Sequence, residues 1–60
     1  MNSSGIPIEV LVSQAIMAGG LSRRRRAALR DGIRSLHRPL TEAERQAMEI
    51  AGIDPAEVAQ

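Results

Sequence analysis

Apolar positions along this chain recur with a helical period, and the pattern is cut at three places by glycine or proline. Ile8, Leu11, Val12, Ala15 and Ile16 follow i, i+3, i+4, i+7, i+8, one stripe of an amphipathic helix. Glu9, Ser13 and Gln14 lie off that stripe. Pro7 suits the first helical position, and Gly19-Gly20 forms a stop. The spacing predicts a first helix over Pro7–Ala18.

A competing pattern covers its start. Ile6, Ile8, Val10 and Val12 alternate, and β-branched residues favour strands. A strand there, followed by two helices, would suit a ribbon-helix-helix dimer that sets paired strands in the major groove. The helix is the stronger reading because the stripe runs on to Ile16 and the glycine pair closes it.

Three further helical segments follow. Ser22 is a good N-cap for a second helix over Arg23–His37, with Ala28, Leu29, Ile33 and Leu36 apolar and Gly32 on the same side. Gly32 weakens that helix but leaves room for a close neighbour. Pro39 ends it. Thr41 and Glu44 form a capping box for a third helix, Glu42–Ala51. Its thin apolar face is Ala43, Ala47, Ile50 and Ala51, with Met48 beside them, and Gly52 is its stop. Asp54-Pro55 then starts a single turn, Pro55–Ala59. The fold class is all-α: three short helices and a C-terminal helical turn in one domain, residues 1–60, with 1–5 a frayed start.

Composition adds one constraint. A chain of 60 residues without cysteine or any aromatic has few means of closing a core. Self-association is the simplest remedy, and a homodimer through the first helix, at Ile8, Leu11, Val12 and Ile16, is expected. The lack of aromatics also disfavours single-strand nucleic-acid modules, which stack bases on aromatic rings. With no signal sequence and no apolar run long enough for a bilayer, a soluble cytoplasmic protein is expected.

The formal net charge of +1 hides a division. From Arg23 to Arg38 there are seven arginines and one acid, Asp31; from Leu40 onward there are five acids and one arginine, Arg45. On a helical wheel Arg23, Arg26, Arg30, Arg34 and His37 share one side, and Arg38 continues the i, i+4 row. The arginines therefore read as a ridge on an anchored helix. Cations in a helix's first turn oppose its dipole, and like charges at i, i+4 repel. An anionic partner would relieve both. The options are nucleic-acid phosphate, an acidic protein surface, the chain's own acidic third helix in one protomer or across a dimer, and plain solvation.

Residues 14–29, QAIMAGGLSRRRRAAL, resemble a helix-turn-helix. Gly20-Leu21-Ser22 matches the turn, with Leu21 as its buried residue, Ala15 and Ile16 beneath it and Leu29 facing the core. The resemblance implies that Ser22 to Arg26 meets bases and phosphates. It departs from the pattern at Arg26, where an apolar residue is usual, and at the extra Gly19. Leu40 to Val58, LTEAERQAMEIAGIDPAEV, is similar to a segment near the ends of tailed-phage head protease and scaffold proteins. Leu40, Thr41, Glu44, Gly52, Ile53 and Glu57 match, and the usual aromatic near Val58 is missing.

Nothing points to catalysis. The single histidine, His37, has no cysteine or positioned base beside it, and no phosphate loop is present. No metal, cofactor or small-molecule substrate is expected. The leading reading is a small DNA-binding regulator or accessory protein. Its contact residues are Ser22, Arg23, Arg24, Arg26 and Arg30, with Arg34 on backbone phosphates and Arg25 turned toward the apolar side. The alternative is an assembly protein, phage-encoded in one version, whose basic helix docks on an acidic protein surface or another subunit's acidic helix.

Overall fold

Pro7 has extended backbone and its carbonyl accepts from the amides of Val10 (3.0 Å) and Leu11 (3.3 Å), so helix α1, Ile8–Ala18, starts one residue after the proline. The computed structural model describes residues 6–58, and the expected frayed start and Ala59 lie outside them. Within them the fold is all-α: α1 is followed by α2 (Arg23–Arg34), α3 (Glu42–Ala51) and the short α4 (Pro55–Val58). Of the alternating residues, Ile8, Val10 and Val12 are helical, Ile6 precedes the helix, and none is in a strand. Gly19 and Gly52 end α1 and α3 in the left-handed conformation, with φ of 76° and 78°, a region where a side chain is strained.

The ends of α2 and α3 follow from capping chemistry. The Ser22 hydroxyl accepts from the Arg25 amide at 3.3 Å. Thr41 Oγ1 accepts from the Glu44 amide, and Glu44 Oε1 accepts from the Thr41 amide, completing the capping box. Helix α2 stops at Arg34, three residues short of the expected His37. The Ser35 hydroxyl donates to the Asp31 carbonyl at 3.0 Å, closing the last turn. Pro39, further on, has no amide to extend the ladder. Arg38 and His37 therefore leave the helical row.

α1 packs chiefly against α3, with α2 alongside and α4 laid on α2. Their inner faces meet in one core of Leu11, Val12, Ala15, Leu29, Ile33, Ala47, Met48 and Ile53. Leu21, the turn residue, and Ile8, Leu36, Leu40, Ala51 and Val58 form its partly buried margin.

Two inner faces are rotated from their expected positions. In α2, Ala28 is exposed, while Arg26 and Arg30 are half-buried beside Leu29 and Ile33. In α3, Ala43 and Ile50 are exposed, and Glu44 joins Ala47 and Met48 inside at 5% exposure. Both real stripes have i, i+3, i+4, i+7 spacing, Arg26–Leu29–Arg30–Ile33 and Glu44–Ala47–Met48–Ala51. In each, a charged side chain occupies the margin of the core because it has internal partners there.

Gly32 faces Ile8, as its place on the apolar side suggested. A Cβ built on it would lie 3.6–3.9 Å from the Ile8 side chain, which is ordinary contact distance. Gly32→Ala therefore keeps the packing and removes the glycine penalty of about 1 kcal/mol in a helix. Thermal melting should rise by roughly 4–8 °C, the scale for a domain of this size.

Candidate nucleic-acid interface

The seven arginines between Arg23 and Arg38 divide into inward and outward groups. Arg26 Nη2 donates to the Gly52 carbonyl at 2.8 Å and to Glu57 Oε2 at 3.1 Å. That carbonyl lies at the C-terminal, negative end of α3, where a cation is favoured. Arg30 approaches the other oxygen of Glu57 at 3.9 Å and donates to Asp31 Oδ1 at 3.4 Å. Glu57 also accepts from the Asp54 amide at 3.1 Å, so one carboxylate caps α4 and holds two arginines of α2. For Arg26 and Arg30 the acidic side chain across the fold is thus Glu57 of α4 and not an acid of α3.

Arg38 is held by α3. It meets Glu44 through two parallel bonds, Nη1 to Oε1 at 3.0 Å and Nη2 to Oε2 at 2.6 Å, and it also donates to the Pro39 carbonyl at 3.1 Å. The bonds from Arg38, with the Thr41 amide in support, hold the Glu44 carboxyl below the usual glutamate range against the opposing effect of burial. The unfolded chain therefore takes up a proton at Glu44 at a higher pH than the folded chain does. The pair's stabilisation is fully present above the ordinary glutamate pKa and is lost as pH falls through the lower, folded value. Melting temperature followed from neutral pH into acid should drop less steeply for Glu44→Gln than for the wild type. Parallel curves would show that Glu44 does not carry this term.

Arg23, Arg24 and Arg25 are exposed, and their guanidinium groups have no hydrogen-bond or ion-pair partner among the described residues. Arg23 and Arg24 flank the outward face of α2, which continues through Ala27, Ala28, Asp31 and Arg34. Arg25 turns to the side facing α1, beside Leu21 and Met17. Ser22 is exposed at the head of this face, its hydroxyl engaged in the cap. No known family, curated protein or solved structure matches this chain. The resemblances to helix-turn-helix and phage proteins therefore rest on the residues that carry them.

Of the expected contact residues, Ser22, Arg23, Arg24 and Arg34 lie along one outward face, whereas Arg26 and Arg30 clasp α4. Of the expected association residues, Leu11 (1% exposed) and Val12 (8%) belong to the protomer's own core, and Ile8 is half-buried against it. Only Ile16, at 38%, reaches the surface. Val10 and Met17, outside the expected association set, are exposed at 41% and 85%; their spacing of seven, one helical heptad, is the signal for them in the sequence. Among the described residues, no group of acids and histidines could hold a metal ion, and no helix is long and apolar enough to cross a membrane.

Proposed function

We propose that this protein binds duplex DNA through the outward face of α2, as a small regulator or accessory factor. The observation that carries this reading is the placement of Arg23 and Arg24. They stand exposed on the first turn of a capped helix, without an acid to offset them. Their charge opposes the helix dipole, and a phosphate at this end would satisfy both the guanidinium groups and the exposed helix start. Arginine suits the task because its planar fork can bind phosphate oxygens or guanine in pairs.

The rest of the face supports the same reading. Ala27 and Ala28 keep its middle low, so that a groove wall can approach the helix closely. Asp31 has its carboxylate drawn to Arg30. Arg34 lies at the far end of the same face, where a backbone phosphate would be within its reach. The departure at Arg26 from the helix-turn-helix pattern is compatible with that geometry. The side chain takes the inward position but ends on the Gly52 carbonyl and Glu57. An acidic protein surface would also neutralise Arg23 and Arg24; the small residues beside them favour a groove.

Titration of a mixed-sequence duplex at two salt concentrations tests the reading. Each phosphate neutralised contributes about 0.9 to the salt slope, so Arg23 and Arg24 together contribute about 1.8 per protomer. That corresponds to a roughly 12-fold fall in affinity for a fourfold rise in salt. Absence of binding at low salt would overturn the proposal.

A further inference from the structure

Helix α1 is apolar on both sides. Its inner side supplies Leu11, Val12 and Ala15 to the core. Its outer side carries Val10 (41% exposed) and Met17 (85%), with the small Ser13 between them. Glu9 is the only charged residue in its 11 positions. A helix that is apolar nearly all round belongs in an interior. Here the described residues cover one side only. Within α1, Val10, Ser13 and Met17 follow in steps of three and four, the spacing of a seam that receives another helix.

The surroundings of that seam select the occupant. A shallow groove runs beside it, past Gln14 and Leu21, with Glu9 at one end and Arg25 at the other. Neither charge has a hydrogen bond or ion pair from its side chain among the described residues, although Glu9 adds to the field on Arg38. Gln14 Oε1 is shielded from solvent and accepts no hydrogen bond. Glu9 and Ala18 lie about 14 Å apart along the axis at 1.5 Å per residue, so the two charges mark opposite ends of the face.

We propose that this face binds the same face of a second copy of the chain. The two α1 helices run antiparallel about a two-fold axis between Ser13 and Gln14. Val10 of each copy then meets Met17 of the other. The small, exposed Ser13 of each copy lies beside the axis and lets the two helices approach closely. Glu9 of each copy faces the end where the other carries Arg25. A parallel pair would set Glu9 against Glu9 and Arg25 against Arg25, so charge fixes the direction. The arrangement is isologous, as a two-fold interface requires. It rests on α1 and its groove and is independent of the DNA proposal.

One short helix per copy makes an interface at the low end of specific ones, and a dissociation constant of roughly 1–100 µM is expected. Sedimentation equilibrium without DNA, up to about 1 mM chain, reads it directly. The wild type should pass from monomer to dimer across that range. Val10→Glu and Met17→Glu should each weaken the dimer by more than about tenfold, with the circular dichroism melt unchanged at concentrations where the wild type is monomeric, because a charge is buried in the contact and both sites are exposed in the protomer. Glu9→Arg should also weaken it, and Glu9→Arg with Arg25→Glu should restore it. A monomer throughout, as expected if another kind of partner or none covers α1, would overturn the proposal. So would a dimer indifferent to the glutamate variants, or a double charge reversal that does not restore association.

Discussion

Leu29→Ala should leave the chain largely unfolded at 37 °C. Leu29 is fully buried, at 0% exposure, where α2 meets the core side chains of α1 and α3. Removing a buried leucine side chain in such a place costs about 2–5 kcal/mol, from lost burial and from the cavity left behind. A core in a domain of this size seldom supplies more than about 3–5 kcal/mol. This one contains no aromatic, disulfide or metal cluster among the described residues to make up a shortfall. The loss is therefore comparable to the whole stability. Circular dichroism at 222 nm should show a wild-type melt that the variant lacks, or one shifted down by roughly 4–8 °C for each kcal/mol lost. A variant that melts like the wild type would mean that Leu29 is not at the centre of the fold.

The second large effect is on binding. Arg23→Gln with Arg24→Gln should lower the slope of affinity against salt by about 1.8 per protomer. At low salt the wild type should bind duplex DNA more tightly by roughly an order of magnitude or more, since two phosphate contacts and their released counterions are lost in the variant. Melting should not fall. Neither side chain has a partner among the described residues, and removing two cations from the first turn of α2 relieves a conflict with the helix dipole. Loss of affinity with unchanged or raised stability is the signature of a contact residue. Loss of both would indicate damage to the fold.

Much of this architecture was legible in the sequence because its helix ends depend on local chemistry. Ser22, Gly19, Gly52 and the Thr41–Glu44 box act within a turn of themselves, and each caps the helix end it marks. What the sequence leaves hidden is the place of side chains held by distant partners. Arg26 read as a solvent residue, yet its partners are 26 and 31 positions away. Glu44 read as a capping residue, which it is, but Arg38 also makes it a tolerable core neighbour. Once those two charges are placed inward, Ala28, Ala43 and Ile50 are pushed outward, and both helical faces turn together. A wheel drawn from hydrophobicity alone cannot anticipate this, because it assigns every charge to solvent.

The same distinction applies to the outward site. Four consecutive arginines at Arg23–Arg26 look like one patch in the sequence. Helical spacing separates them by about 100° each. Which direction is inward depends on where α3 and α4 pack. Arg26 then becomes a strut between α2 and the ends of α3 and α4, Arg25 borders the α1 groove, and Arg23 and Arg24 remain on the open face.

The division of the arginines is tested most directly by comparing two double variants in the same pair of assays, duplex binding across salt and thermal melting. Arg23→Gln with Arg24→Gln should flatten the salt slope and leave the melt in place. Arg26→Gln with Arg30→Gln should lower the melt by several degrees, for a loss of about 1–2 kcal/mol after allowing for partial exposure, and retain the slope. Equal loss of slope in both pairs, or a fall in melting confined to the Arg23 and Arg24 pair, would contradict the assignment.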